Sequence, residues 1–308
     1  MIIDSHCHLF VEDWINKRWW DGMARRAVLT AKKIGIEATP EDIRTTIIPE
    51  YWDPTAEKLI QEADEAGIDK TVMLVQDFGV GIGEAKVSIE EQNKSHADIA
   101  KAHPDKLIAF AGVDPRREGA VDLFEKCITE WGMKGLKLHS GAGFFLDDKV
   151  VYPLYEKALE LNVPVVAHTG PILAPLRSKY CHPISLDNVL TDFPDLTVIA
   201  AHVSEGWWRD AIAIAASNPN MFVDISGWEE VVPFPEKYCI SLREIIDEVG
   251  SDRVLFGTDG PSYRTPCPPI EYVKFVKGLP ENAVGGVEFT AEEIEAILGG
   301  NAQRILKL

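Results

Sequence analysis

Positive charge is scarce in this sequence. Its 308 residues carry 31 Lys and Arg against 49 Asp and Glu, a formal net charge of −18. No broad basic face can be assembled from that balance, which argues against nucleic acid and anionic membrane as partners. A small anionic substrate stays open, since it needs only one or two local cations. Long apolar runs are also missing: nothing approaches a membrane span, and residues 1–10 lack the basic start and long apolar core of a signal peptide. Cysteine is sparse and scattered. Cys7, Cys127, Cys181, Cys239 and Cys267 are odd in number and form no CxxC pair, the pattern of reduced thiols in a cytoplasmic protein. No GxGxxG follows the first apolar run, which removes the usual mark of a dinucleotide-binding open sheet.

What is present is alternation. Short β-rich runs occupy 2–8, 70–76, 107–113, 134–139, 164–168, 196–202, 221–226 and 253–259, and amphipathic stretches such as 54–67, 119–132 and 152–162 separate them. In the last of these Leu154, Ala158 and Leu161 share a helical face. Eight strands, each followed by helix, predict an α/β fold of the parallel (β/α)8 barrel type, with a doubly wound open sheet as the alternative. The whole of 1–308 is read as one domain. Residues 9–53 are inserted after the first strand and carry Trp14, Trp19, Trp20 and Trp52. A bare loop of that length is improbable, so the segment is expected to hold helices of its own and to cover the barrel mouth. The tail, 289–308, reads as a terminal helix broken at Gly299–Gly300.

The chain opens "MIIDSHCHLF". Alternation along a strand puts Asp4, His6 and His8 on one face and Ser5 and Cys7 on the other, which sends two imidazoles into the barrel mouth. An HxH alone is weak. However, His139, His168 and His202 also end apolar runs, as does Asp259 in "LFGTD", and catalytic groups of such barrels sit at the C-terminal strand ends. Histidines and an aspartate at the ends of strands one, five, six and eight together indicate a shared metal site. Imidazoles and one carboxylate suit a divalent transition metal, Zn²⁺ first, with Mn²⁺ or Co²⁺ as alternatives. Asp259 is placed to ligate the ion and to move a proton. His96, His103 and His182 lack strand-end placement and are expected at the surface.

The segments "DSHCH", "KGLKLH", "VVAHTG", "IAAHVS", "RVLFGTDGP" and "ILGGNAQRIL" occur in the order found in the amidohydrolase superfamily. Nearly the whole chain resembles its amidohydrolase-2 branch, which includes aminocarboxymuconate-semialdehyde decarboxylase and related metal-dependent hydrolases and decarboxylases. The resemblance implies a distorted TIM barrel with a metal held by His6, His8, His168 and Asp259, and with His202 as a further ligand or catalytic group. In binuclear relatives a strand-four lysine is carboxylated and bridges two metals. Lys137 stands there, with a buried ion pair to a carboxylate such as Asp4 as the plainer expectation, and one metal is favoured. His139, Arg177, Arg209 and Arg264 are candidate substrate contacts, because an arginine can clamp a carboxylate bidentately.

The resulting expectation is a metal-dependent hydrolase acting on a C–N or C–O bond of a small, carboxylated organic substrate. Water activated by the ion attacks, Asp259 moves the proton and a strand-end histidine steadies the oxyanion. The alternative on the same constellation is a non-oxidative decarboxylase, a carboxy-lyase in which the substrate chelates the metal. A non-catalytic binding protein on the same barrel is the third reading, disfavoured by the intact ligand set. Further expectations are a small-molecule partner, no nucleic acid, no membrane, a homo-oligomer as one option, and a cytoplasmic location.

Overall fold

The computed structural model describes residues 1–33, 35–262 and 267–308. Eight strands run parallel in sequence order: β1 Ile3–Cys7, β2 Lys70–Leu74, β3 Leu107–Gly112, β4 Leu136–Leu138, β5 Val165–Ala167, β6 Val198–Ala200, β7 Met221–Asp224 and β8 Val254–Leu255. Every one lies within a run read from the sequence as a strand. These strands are covered on both sides, which is why they read as nearly continuous aliphatic stretches rather than as alternating ones. β8 returns to β1 through Ser5 N–H to Phe256 O (2.9 Å), Asp259 N–H to His6 O (2.8 Å) and His8 N–H to Gly260 O (2.8 Å). The sheet is thereby drawn into a barrel.

The longer helices are α1 Lys17–Lys33, α2 Glu57–Ala66, α3 Ile89–Ala102, α4 Ala120–Thr129, α5 Tyr152–Leu161, α6 Ser185–Asp192, α7 Trp208–Ser217, α8 Pro235–Val249, α9 Pro269–Lys277 and α10 Asn301–Leu306. All but α1 and α10 follow a strand, and each buries apolar residues on one face. α3 shows the local logic: Ser88 and Glu91 form a reciprocal capping box at its start, and Ile89, Asn93, His96 and Ala97 fall on the buried side. Among the described residues no helix is long and apolar enough to cross a membrane.

Inside the barrel, Ile3, Val72, Leu74, Ile108, Phe110, Val166, Ile199, Phe222 and Leu255 make an apolar cluster of their own, and Ala302, Ile305 and Leu306 pack against it. The last of these belong to α10, so the chain's end closes the foot of the barrel. A turn of π-helix, Ala296–Gly300, feeds α10 and is the form taken by the expected break. Gly299 is needed there, since a Cβ would lie 2.2 Å from the Met1 carbonyl oxygen.

One expectation about β1 is corrected. Asp4 pairs with Thr71 but Cys7 pairs with Met73, so β1 slips by a residue between them. Asp4 therefore does not share a face with His6 and His8. Instead it lines, with Cys7, Thr71 and Thr258, a small cavity of about 20 Å³ beneath α2. Its carboxylate accepts from Thr258 Oγ1 at 2.6 Å and from the Thr258 and His6 amides.

Residues 9–53 do contain helices: α1, a short helix Pro40–Asp42, a turn of π-helix Ile43–Ile47, and 3-10 turns over Glu12–Trp14 and Ile48–Tyr51. A bridge between Phe10 and Trp52 closes the excursion at its base. Trp19 and Trp20 are buried, packed edge to face on each other and on Phe10. The segment touches the loops that follow three strands. Trp19 stacks on Phe78 after β2, Gly22 abuts the Ala174 carbonyl after β5, and Arg26 reaches Glu230 after β7.

Candidate metal centre at the strand ends

β1 turns two imidazoles inward. His6 Nδ1 donates to Asp224 Oδ2 at 2.9 Å, and His8 Nδ1 donates to the Leu74 carbonyl at 2.8 Å. With their protons on Nδ1, both rings present the Nε2 lone pair to the interior. Those lone pairs face Asp259 Oδ1, which is 3.5 Å from His6 and 3.1 Å from His8. One ligand atom from each of the three lies within 4.8 Å of the others. Burial, reinforced by the nearby Lys137, pushes the His6 pKa down to about 3, so the ring is neutral at physiological pH. Burial alone would lift the Asp259 carboxyl, but His202, His8 and His6 outweigh it and hold the group well below its usual range. Neutral nitrogen donors and an anionic oxygen are what a first-row divalent ion requires.

The chain is shaped to let these groups meet. β8 passes so close to β1 that a Cβ at Gly257 would sit 2.9 Å from His6 Cβ, and only glycine fits. Asp259 takes a left-handed conformation, φ 45°, which aspartate tolerates better than most residues. After β6 the backbone is stranger: His202, Val203, Ser204 and Glu205 all have positive φ, from 42° to 61°. For a β-branched residue such as Val203 this is a costly conformation, of a kind that gathers at functional sites. It is held in place by Asp224 Oδ1 on the His202 amide (2.9 Å) and by Trp228 Nε1 on the His202 carbonyl (2.9 Å).

A second chain of contacts leads away from Asp224. Its Oδ1 accepts the Ser226 hydroxyl, Ser226 Oγ accepts from His202 Nδ1 at 2.8 Å, and His202 Nε2 faces His168 Nδ1 at 3.3 Å. With His202 Nδ1 committed to serine, the proton between the two rings belongs to His168. The Nε2 of His168 is then a buried lone pair without a partner, an orphan of the kind a ligand or ion satisfies.

The sequence-chosen residues fall into three groups. His6, His8 and Asp259 form the compact trio, with His202 beside them at a ring distance of 4.7 Å from His6. His168 is outside that trio and reaches it through His202. His139 stacks on His168 at 4.0 Å and against Phe78 at 4.7 Å, with its Nδ1 buried and unpartnered. Lys137 Nζ lies 3.2 Å from His6 Nε2; the alternative pairing with Asp4 does not occur, because the slip in β1 turns Asp4 to the other side.

Arg177 and Arg209 are not drawn in. Arg209 is exposed on α7, bonded through Nε and one terminal nitrogen to both carboxylate oxygens of Glu244, away from the cluster. Arg177 is exposed on the loop after β5, and Arg264 lies outside the described residues. His96, expected at the surface, is instead buried under Trp14 with its ring 4.9 Å away.

Asp224 is the residue that reading the sequence missed. It is the last residue of β7, inside the run "MFVDIS", so the strand-end rule that picked out Asp259 would have found it had it been applied to strand seven. Burial would raise its pKa, yet the field and hydrogen bond of His6, with His202 and Ser226, hold it ionised. Glu229, buried after β7 with both carboxylate oxygens unpartnered and its pKa pushed up by burial, carried no sequence signal at all.

A 2-keto-4-carboxy-3-hexenedioate hydratase from Sphingobium sp. is 24% identical over 99% of this chain and 96% of its own length. Among solved structures, a TIM-barrel protein from Bordetella bronchiseptica is 25% identical, with a TM-score of 0.70 over 99% of this chain and 98% of that one. A 5-carboxyvanillate decarboxylase from Novosphingobium aromaticivorans, solved with manganese and 4-hydroxy-3-methoxy-5-nitrobenzoic acid, superposes with a TM-score of 0.71 at 17% identity, covering 100% and 96% of the two chains; at that identity the likeness is one of fold. The sequence profile of the amidohydrolase family matches residues 3–308. Since that match runs from the first strand to the last residue, with the histidine and aspartate strand ends all inside it, the chain belongs to the amidohydrolase family.

Proposed function

We propose that this protein is a metal-dependent enzyme that brings water to a small carboxylated organic molecule, by hydrolysis of a C–N or C–O bond or by addition across an activated double bond. The observation that carries this reading is the convergence of two imidazole lone pairs and one ionised carboxylate, each histidine's other nitrogen being tied back. His6, His8 and Asp259 would hold one divalent ion, with His168 completing the set through its unpartnered nitrogen. Such an ion supplies Lewis acidity, polarising a carbonyl and acidifying water. Asp259 Oδ2, free of the two histidines, takes the proton from the attacking water. His202, backed by Ser226 and Asp224, delivers or accepts the second proton at Nε2. The hydratase from Sphingobium, alike over nearly its full length, supports water as the reactant.

Zinc suits the nitrogen-rich donor set best, with manganese, present in the decarboxylase structure, as its rival. Residues 9–53 lie over the mouth of a single domain, a reading supported by their contacts with the loops after β2, β5 and β7. The five cysteines are free and buried, which supports a cytoplasmic location.

The test is a screen of carboxylated amides, lactones and unsaturated keto acids against metal-loaded protein, with product masses followed. Uptake of water supports the proposal. Loss of CO₂ without water uptake identifies a carboxy-lyase instead and overturns it.

A further inference from the structure

Lys137 has no direct ion-pair partner among the described residues, and Asp224 and Asp259 act on it only from a longer range. It projects from β4 into the barrel, its side chain among the largest that are fully buried. Among the described residues no carboxylate oxygen comes within ion-pair distance of Nζ, and its one hydrogen bond is to His6 Nε2 at 3.2 Å. That acceptor is the lone pair that faces Asp259, the one an ion would take. Of the neighbouring carboxylates, Asp224 is engaged by His6, Ser226 and the His202 amide, and Asp259 faces the His6 and His8 lone pairs, where the ion would take it. In the loaded site the ammonium would have three N–H groups and no acceptor, a strongly unfavourable state for a buried charge.

We infer that Lys137 is the anion anchor of the site, receiving a carboxylate or developing oxyanion of the substrate next to the ion. The inference rests on the metal reading above and gives that reading a polarity. The anionic end of the substrate enters deepest, against β4, and the rest of the molecule lies toward the inserted segment. A lysine in this role acts as a charged donor and does not bridge two metals.

The experiment uses the full chain, loaded with Co²⁺ or free of it, and malonate as the probe anion. Malonate is titrated by calorimetry into the wild type, Lys137→Met and Lys137→Gln. All three should hold one cobalt per chain. Malonate affinity should fall roughly 10- to 100-fold in Lys137→Met, the usual loss of a hydrogen bond to a charged group, and by less in Lys137→Gln, which keeps an N–H donor. Without ligand, Lys137→Met should melt no lower than the wild type, because it removes an unpaired buried charge. Equal malonate affinity in all three overturns the anchor. Two cobalt ions in the wild type, with one lost in Lys137→Met, overturns it in favour of a bridging lysine. Should the wild type take up no cobalt, the metal reading fails by itself, and the metal-free titration still decides the lysine in the same way. Lys137→Gln carries the comparison if Lys137→Met does not fold.

Discussion

The foot and the mouth of this barrel are built by the same strands and obey opposite rules. β5 places Val166 inward and its run then ends in His168; β7 places Phe222 and then Asp224; β8 places Leu255, and its loop then brings Asp259. At the foot, the inward residues are aliphatic or aromatic, and α10 covers them. At the mouth, the inward groups are titratable, several with orphaned polar atoms that cost about 1–3 kcal/mol each. The left-handed run from His202 to Glu205 adds strain of a similar order. Groups arranged this way hold their places only because the close-packed foot over-determines the positions of the strand ends. Stability and chemistry are thus separated along the strand direction, within a few residues of each other.

Mutations at the two ends should fail in different ways. The largest effect belongs to the mouth. Asp259→Asn keeps the size and one ligating oxygen but loses basicity, so turnover should drop by roughly two to four powers of ten while most of the metal stays bound. His6→Ala and His8→Ala should lose metal first, and elemental analysis beside kinetics at saturating metal separates the two outcomes. Near-normal turnover in Asp259→Asn would move the base to His202. The foot should give the reverse. Phe222→Ala opens a cavity in the apolar cluster and should destabilise the fold by about 3–5 kcal/mol, with kcat per folded molecule almost unchanged. Urea melts and active-site titration would show it. A large loss of kcat in a folded Phe222→Ala would mean that the two ends are coupled after all.

Asp224→Asn probes the boundary between them. The amide still accepts from the Nδ1 of His6 but lacks the charge that orients two histidine networks. Metal affinity should fall about 10- to 100-fold, as for other groups that orient ligands, with a smaller change in melting temperature. Isothermal titration with Zn²⁺ after chelator treatment measures it. Unchanged affinity would reduce Asp224 to a support for the strained loop after β6.

The foot and its strands were readable from the sequence because burial on both faces leaves a plain aliphatic signature. Helix caps such as Ser88 with Glu91 are local in the same way. The mouth was readable where a titratable residue interrupts that signature at a strand end, as at His6, His168 and Asp259. It became unreadable where tertiary contact decides. The one-residue slip in β1 is set by its pairing with β2, and it moves Asp4 to the opposite side from its predicted place. Arg209 was a plausible anion clamp by position, yet Glu244 on α8 claims its guanidinium. Burial of His96 depends on Trp14, eighty-odd residues away in an inserted segment whose path no periodicity could give. Asp224 was overlooked although its signal was present.

The smallest effect concerns that inserted segment, and asks which end of the molecule it belongs to. Trp14 lies over His96 on α3, and the Nδ1 of His96 donates to the Gln92 carbonyl at 2.8 Å. Protonation must therefore occur at Nε2, which is buried and has no acceptor. Burial pushes the His96 pKa down from its ordinary 6.5 to about 4. The folded protein takes up this proton later than the unfolded chain does, so the contribution of His96 to stability is complete above about pH 6.5 and is lost as the pH falls toward 4. His96→Gln keeps a donor for the Gln92 carbonyl and cannot be charged. Its melting temperature should match the wild type near pH 7, and the variant should become relatively more stable than the wild type as the pH drops through that window. Tryptophan fluorescence followed alongside the melt adds the location: an early change in acid that is absent in His96→Gln places the segment with the labile mouth. Parallel acid limbs in the two proteins would show that the buried histidine does not control the segment, and that residues 9–53 are held as firmly as the foot.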